Sequence, residues 1–326
     1  MVIKPIIILL VSLALASVHL AEAQQPAKVP KLGWLGAGAG PSSGVSELFW
    51  REFRKLGYVE GKNIATEYRY ADNKLDRLPA LADELVRLKV ELLVTGGTNA
   101  ALAARNATKT IPILFLNVSD PVADGLVDSL AQPGGNITGF TIISGVLAGK
   151  RFELLKETVP KLSRVAVLWD PKNRGSAGQW KESQLAAREL GLQLHSMEVS
   201  SADKFESAFN EAIRVRSAAL TVTQNPLLTS RQKEVIDLAA KNRLPAIYNQ
   251  GDYVESGGLM SYGTDQAEPY RRAASMVDKI LKGRKPADLP VEQPMKFELI
   301  INLKAAKQIG LTVPPNVLAR ADKVIK

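Results

Sequence analysis

Residues 90–104, with the sequence VELLVTGGTNAALAA, place a short apolar run, two glycines and an alanine-rich segment in direct succession. The apolar run has the length and composition of a β-strand. Gly96 and Gly97 allow the backbone to turn tightly, and Thr98 is a good N-cap for the helix that the alanines predict. The stretch therefore predicts a strand–turn–helix unit, the repeating element of an α/β fold.

The same pattern recurs on both sides of this stretch. Several apolar runs lack in/out alternation, most clearly residues 113–116 (ILFL), which is typical of parallel strands covered on both faces. Between the runs, apolar residues recur at helical spacing, as between Tyr270 and Leu281. The predicted strands are residues 32–35, 90–94, 111–116, 164–169, 218–223, 245–248 and 258–262.

The alternation breaks once, which favours two α/β halves over a single sheet of about nine or ten strands. A strong turn signal at residues 133–136 (PGGN) is followed by a small, polar stretch to Gly145, and the pattern restarts at Arg164. After Gly283, three prolines punctuate an extended stretch, and residues 296–301 predict a further strand. Such a tail would pass back between the halves.

The N-terminus predicts a secretory signal peptide over residues 1–23. Lys4 precedes an apolar run at 6–16, and residues 21–23 (AEA) supply the small residues of a cleavage site. A membrane anchor or a buried helix is the alternative, but the run is shorter than the roughly 20 residues that span a bilayer. Because the chain has no cysteine, a lipid-modified N-terminus is excluded. We expect an exported, periplasmic protein.

Charge and composition argue against several other classes of protein. The formal net charge is +9, but the basic residues are spread along the chain, and the densest cluster, at residues 279–285, fits a solvated helix end. No nucleic-acid partner is therefore expected. His195 is the only histidine after the predicted signal peptide, so a transition-metal site or a Ser-His-Asp triad has little support. We expect no catalytic residue, no metal and no cofactor.

Ligands of open parallel sheets bind beyond the carboxyl ends of the strands, so the residues that follow each strand are the candidates for a binding site. In the first half, the turn after residues 90–95 would hold an anion on free N–H groups and the Thr98 hydroxyl; a plain helix cap is the alternative. Asp120 either accepts hydrogen bonds from a ligand or caps the next turn. The candidates are Ala37, Gly38, Gly96, Gly97, Thr98, Asn99, Ser119 and Asp120.

In the second half the same positions carry amides, hydroxyls and aromatic rings. These groups suit selective binding of a small molecule better than bond breaking. The candidates are Asp170, Asn173, Thr223, Asn225, Tyr248 and Tyr262.

Taken together, the sequence resembles the type I periplasmic binding proteins of ABC transporters, in the branch of the tryptophan/tyrosine-type binding components. The resemblance implies two Rossmann-like lobes with parallel sheets, joined by three crossover hinge strands near residues 138–146, 253–262 and 289–296. Lobe 1 would contain residues 29–138 and 260–290, and lobe 2 residues 146–254 and 295–326. The motifs that carry it are residues 56–64 (LGYVEGKNI), 96–98 (GGT), 119–122 (SDPV), 132–139 (QPGGNITG), 257–263 (GGLMSYG), 282–290 (KGRKPADLP) and 296–302 (KFELIIN).

The resemblance also implies a function. The chain would be the extracytoplasmic solute-binding component of an ABC importer, a monomer that captures a small polar solute by hinge closure and docks on an ABC permease of the inner membrane. For an amino acid, Thr98 would take the carboxylate, Asp120 or Asp170 the ammonium, and Tyr248 or Tyr262 would line the side-chain pocket. A periplasmic sensor that signals to a membrane receptor is the main alternative, and an exported hydrolase is the enzyme alternative.

Overall fold

The computed structural model describes residues 29–40, 43–265 and 267–326. The predicted signal peptide lies outside these residues. Among the residues described, no helix combines the length and the hydropathy needed to cross a bilayer.

The described chain alternates strands and helices from end to end. The strands are β1 Lys31–Gly36, β2 Ala65–Tyr70, β3 Leu92–Gly96, β4 Ile113–Val118, β5 Ile137–Thr141, β6 Arg164–Trp169, β7 Gln193–Glu198, β8 Ala219–Val222, β9 Ala246–Tyr248, β10 Met260–Thr264, β11 Phe297–Asn302 and β12 Lys323–Ile325. The helices are α1 Ser43–Lys55, α2 Leu78–Arg87, α3 Thr98–Ala107, α4 Ala148–Thr158, α5 Arg174–Glu189, α6 Phe205–Arg214, α7 Pro226–Ser230, α8 Gln232–Lys241, α9 Gly251–Glu255, α10 Ala267–Leu281, α11 Leu303–Gln308 and α12 Pro315–Leu318.

Lobe 1 is built on a five-stranded parallel sheet in the order β2-β1-β3-β4-β5. Helices α2 and α3 cover one face, and α1 and α10 cover the other. The interior strand β4 is covered on both faces, which is why its run ILFL carries no polar alternation. This arrangement confirms the predicted α/β class for the first half.

Lobe 2 is built on a seven-stranded sheet in the order β12-β11-β10-β9-β8-β6-β7. All neighbouring strands are parallel except β10 and β11, which run antiparallel. One core lies under α4, α5, α11 and α12, and the other under α6, α8 and α9. The chain thus forms two mostly parallel sheets, as the sequence predicts.

The chain passes between the sheets three times, but the first and second crossings differ from their predicted positions. The first crossing is residues 142–147 rather than 138–146, because residues 138–141 belong to β5 of lobe 1, and the third is residues 289–296. The second follows β10, which ends at Thr264, rather than lying at 253–262, so residues 260–264 belong to the sheet of lobe 2 and not to lobe 1. The reason is pairing, since Met260 and Ser261 lie in parallel register with Ile247 and Tyr248 of β9.

Candidate functional site

The carboxyl ends of the two sheets face each other, and the loops that follow the strands are in contact across the lobes. Gly175, in the first turn of α5, lies so close to lobe 1 that a Cβ there would be 3.1 Å from Thr98 Oγ1 and 3.2 Å from Ser119 Oγ. On the other side of the contact, a Cβ at Gly38 would lie 3.8 Å from Pro226 Cβ. The lobes are therefore closed on one another, with the edges of both sheets enclosed between them.

Asn99 provides the most direct contact between the lobes. Its Oδ1 accepts a hydrogen bond of 2.9 Å from the backbone N–H of Arg174, and its Nδ2 donates to the Lys172 carbonyl at 3.4 Å. Beside it, Arg174 Nε lies 2.8 Å from Asp124 Oδ1. Burial is the largest influence on Asp124 and raises the pKa of its carboxyl, although Arg174 acts in the opposite direction.

Several side-chain polar atoms at the enclosed edges are buried without a hydrogen-bond partner, including Thr95 Oγ1, Thr98 Oγ1, Asn117 Oδ1 and Asn249 Nδ2. The first three follow or end strands of lobe 1, and Asn249 follows β9 of lobe 2. Leaving a buried donor or acceptor unpaired costs roughly 1–3 kcal/mol, so a concentration of such atoms in one place indicates a site for a bound molecule.

The N-terminus of α3 has backbone donors that can hold an anion. Gly97, at its N-cap, has φ +85° and no side chain caps the first turn. The opposing helix α5 differs, because Asn173 accepts from the Ser176 N–H at 2.9 Å. The free N–H groups of α3 and the unpaired Thr98 hydroxyl, in a residue only 4% exposed, together suit a carboxylate.

A cluster of neutral polar side chains lies at the same edge of lobe 1. Asn117 Nδ2 donates to the Tyr270 hydroxyl at 3.1 Å, and the hydroxyl of Tyr70 is buried without a partner. Burial raises the pKa of Tyr270 to about 12 and that of Tyr70 above its usual range as well. Both phenols therefore stay protonated at neutral pH and can donate hydrogen bonds.

The structure brings most of the predicted residues of lobe 1 to the enclosed edge. Ala37, Gly38, Gly96 and Gly97 form turns there, and Ser119 Oγ accepts a hydrogen bond from Gln179 of lobe 2 at 3.3 Å. Asp120 instead caps its own turn, with Oδ1 accepting from the N–H groups of Val122 and Ala123 at 3.2 and 3.0 Å.

The predicted polar residues of lobe 2 mostly organise their own loops. Asp170 Oδ1 accepts from Lys172 N–H and Ser200 Oγ, both at 2.9 Å. Asn225 caps α7 through the Leu228 N–H at 3.0 Å, and the Thr223 hydroxyl lies 2.7 Å from that of Ser176. Because Asp120 and Asp170 hold the local backbone, the geometry gives no support to either as the partner of a ligand ammonium.

Each of the two predicted tyrosines stacks on another aromatic ring of lobe 2. Tyr248 is 1% exposed and stacks on Tyr253 at 4.6 Å between ring centroids, inside the core of lobe 2. This corrects the expectation that its ring lines the pocket: β9 turns the ring into the sheet–helix interface. Tyr262 stacks on Phe297 at 6.3 Å, and its carbonyl accepts from Arg151 Nε at 2.9 Å.

Several residues of the site were missing from the sequence prediction. Asn117 and Asn249 end or follow predicted strands, so the same strand-end rule could have found them. Thr95 was counted as part of a strand. Gln179 lies in the second turn of α5, and nothing in the local sequence distinguishes it from a surface glutamine.

Other features do not coincide with this site. His195 lies on β7, at the edge of the sheet of lobe 2, and burial lowers its pKa. A solvent-open depression of about 610 Å³ lies along α8 and shares no residue with the enclosed edges. Within the described ranges, no three acidic or histidine side chains are grouped so as to hold a metal ion.

Residues 49–325 match the family model described as ABC transporter substrate binding protein. A curated relative, the tyrosine-binding protein of Clostridioides difficile (strain R20291), is 28% identical over 263 residues, covering 81% of this chain and 75% of the relative. The crystal structure of an ABC domain in complex with L-Trp from Streptococcus pneumoniae is 26% identical, with a TM-score of 0.82 over 91% of this chain and 99% of that chain.

A further relative is about as similar in sequence but less similar in structure. The ligand-free, open structure of a substrate-binding protein with adhesive properties from Clostridium difficile is 28% identical and covers 91% of this chain and 100% of its own, but its TM-score is 0.64. Similar identity with a lower structural score is what a different angle between two conserved lobes produces. The lobe arrangement here is thus closer to that of the L-Trp complex than to that of the open protein.

Proposed function

Because this chain belongs to the ABC transporter substrate-binding protein family, we propose that its enclosed cleft captures a free aromatic amino acid for a membrane permease. Proteins of this family bind small ligands outside the cytoplasm and work with a permease. The amino-acid class comes from the relatives, one named for tyrosine and one bound to L-Trp. The observation that carries the proposal is the unpaired Thr98 hydroxyl beside the uncapped N-terminus of α3.

The carboxylate of the amino acid would bind at that helix end. It would accept hydrogen bonds from the first free N–H groups of α3 and from Thr98 Oγ1. Charge-assisted bonds of this kind are shorter and stronger than neutral ones, and the helix dipole favours a negative charge there. The interaction would supply the partner that the buried Thr98 hydroxyl lacks.

The ammonium would be held by neutral oxygens rather than by a carboxylate. Asn117 Oδ1 is a buried acceptor without a partner and lies next to the α3 turn, since Gly97 N–H donates to the Leu116 carbonyl at 2.8 Å. The ring faces of Tyr70 and Tyr270 add a surface that attracts cations and contacts aromatic side chains. A zwitterion is neutral overall, so it matches a cleft whose acidic residues are engaged elsewhere.

Hinge closure would then trap the ligand. An amino acid that binds lobe 1 gains contacts from lobe 2 only in the closed form, so it shifts the equilibrium towards closure. The contacts that Asn99 and Gln179 make across the lobes, to the Arg174 N–H and to Ser119 Oγ, would form only on closure.

We further propose that the chain is exported and cleaved after Ala23. The extracytoplasmic location of the family agrees with this, and the sequence of residues 1–23 supports it. Intact-mass measurement of the protein recovered from the periplasm tests it, with Gln24 as the expected first residue. A mature chain that retains residues 1–23 would contradict the proposal.

Binding is tested by calorimetry on protein that has been stripped of ligand by unfolding and refolding. We expect binding of L-tyrosine and L-tryptophan, weaker binding of L-leucine, and little binding of tyramine, which lacks the carboxylate. A ligand present at 100 times its Kd stabilises by about 2.7 kcal/mol, so thermal unfolding gives an independent readout. Tyramine binding as tight as that of tyrosine would refute the carboxylate site, and no response to any aromatic amino acid would refute the ligand class.

A further inference from the structure

Gln179, a residue of α5 that is 3% exposed, hydrogen-bonds to three separate segments of the chain through one side-chain amide. We propose that Gln179 is a positioning residue that keeps the closed form populated before ligand arrives and so prolongs the stay of the ligand. The effect on the ligand rests on the binding function proposed above. The effect on closure does not.

The amide of Gln179 is fully engaged. Its Oε1 accepts from Ser144 Oγ at 3.0 Å and from the Gln224 N–H at 2.9 Å. Its Nε2 lies within reach of Ser119 Oγ at 3.3 Å and of the carbonyls of Gly175 and Gln224, both at 3.2 Å. The orientation of the amide is fixed, because a backbone N–H can only face its oxygen.

These partners lie in lobe 1, in the first crossing between the lobes and in lobe 2. Ser119 follows β4 in lobe 1, Ser144 lies in the first crossing, and Gln224 lies in the loop before α7 of lobe 2. Of these contacts only the one to Ser119 joins the two lobes, so it forms when they close and breaks when they open. The contact to Ser144 ties the same amide to the hinge itself.

Further hydrogen bonds connect Ser144 to β10, the strand that leads into the second crossing. Arg151, which is 5% exposed, donates from one nitrogen to the Ser144 carbonyl at 3.1 Å and from another to the Tyr262 carbonyl at 2.9 Å. On the side of lobe 1, Thr141 Oγ1 donates to the Ser119 carbonyl at 3.1 Å. One hydrogen-bonded path therefore runs from β10 through Arg151, Ser144 and Gln179 to lobe 1.

This hydrogen-bonded path predicts how far each substitution shifts the equilibrium between the closed and open forms. In Gln179→Leu, the hydroxyls of Ser119 and Ser144 and the Gln224 N–H lose their partner in the closed form. In the open form water can satisfy Ser119, so the variant shifts the equilibrium towards opening. Ser119→Ala removes only the contact that crosses the lobes and should shift the equilibrium in the same direction by less. Gln184→Leu, exposed on the same helix, is the matched control.

The experiment uses the absence of cysteine from the chain. Spin labels are placed at Lys109→Cys in lobe 1 and Lys181→Cys in lobe 2, both exposed positions, and the distance between them is measured by pulsed electron paramagnetic resonance. Without ligand, we expect the parent and Gln184→Leu to show a short-distance population that Gln179→Leu and Ser119→Ala reduce. Stopped-flow binding of L-tyrosine should then show dissociation about tenfold faster in Gln179→Leu, with association little changed.

The two readouts separate the possible failures. A ligand-free parent without a short-distance population, or an unchanged population in both Gln179→Leu and Ser119→Ala, overturns the role of Gln179. A parent that shows the short-distance population but binds no aromatic amino acid refutes the proposed ligand, while the ligand-free distances still decide the role of Gln179.

Discussion

Asn99 of lobe 1 accepts a hydrogen bond of 2.9 Å from the backbone N–H of Arg174, the first residue of α5 in lobe 2. Caps of this kind normally come from the residue that precedes the helix. Here the Asn173 side chain accepts a hydrogen bond from the Ser176 N–H. The N–H of the first helical residue, Arg174, is instead bonded by Asn99 of the other lobe. Closure thus completes the first turn of α5.

Asn99→Ala should therefore weaken ligand binding without changing the fold of either lobe. Replacing a cap costs about 1 kcal/mol, which corresponds to roughly a fivefold increase in Kd. Calorimetry with L-tyrosine measures it, and Asn106→Ala, exposed on the same helix, is the control. Equal affinities of the two variants would show that the cross-lobe cap contributes nothing to closure.

Thr98→Val should weaken ligand binding without lowering the stability of the ligand-free protein. The substitution keeps the shape of the side chain and removes a buried hydroxyl that has no partner, so the ligand-free protein should unfold at the same temperature or higher. Binding of L-tyrosine should weaken about tenfold, because a hydrogen bond to a charged group contributes roughly 1.5–3 kcal/mol. The prediction fails if stability falls while affinity is kept, which would mean that the hydroxyl serves the fold.

The pH dependence of stability should change in Asp124→Asn. Burial raises the pKa of Asp124 above its ordinary value of 3.8, so the folded protein holds this proton more tightly than the unfolded chain does. Its contribution to stability is present below pH 3.8 and is lost as pH rises through the folded-state pKa. The unfolding midpoint of Asp124→Asn should therefore rise relative to that of the parent as the pH increases above 3.8. A relative fall would show that the ion pair with Arg174 outweighs burial.

Two glycine substitutions should act in opposite directions. A Cβ at Gly263 would lie 2.0 Å from the Asn249 carbonyl oxygen, so Gly263→Ala forces β10 away from β9. We expect it to lower the free energy of unfolding by about 1–3 kcal/mol. It should also displace Asn249 and weaken ligand binding. In Gly178→Ala, on the exposed face of α5, the added Cβ meets nothing within 4 Å, and alanine should stabilise the helix by about 1 kcal/mol.

Thermal unfolding and calorimetry of both variants test this pair. The close packing of β9 on β10 is contradicted if Gly263→Ala unfolds at the same temperature as the parent.

Local sequence was enough for most of the buried strands, although β5, which is buried at every residue, was not predicted, and it was misleading at the edges of the sheets. The run ILFL predicts β4 because a strand covered on both faces needs apolar residues at every position. Strand β2, ATEYRY, was not predicted, because it lies at the edge of its sheet with every residue only partly buried. Strand β10 was predicted as a strand but assigned to the wrong lobe, because its local sequence does not show that it pairs in parallel with β9.

From the amino-acid sequence alone we could predict the α/β class, the two sheets and the positions after each strand where a site could form. Those features follow from hydrophobic periodicity and turn chemistry, which act over a few residues. The role of each polar side chain there depends on the three-dimensional fold: Asp120 and Asp170 cap their own loops, Asn99 joins the lobes, and Thr98 is left unpaired. Hydrogen-bond partners are set by which segments meet in space, and those meetings depend on the closure of two lobes that are far apart along the chain.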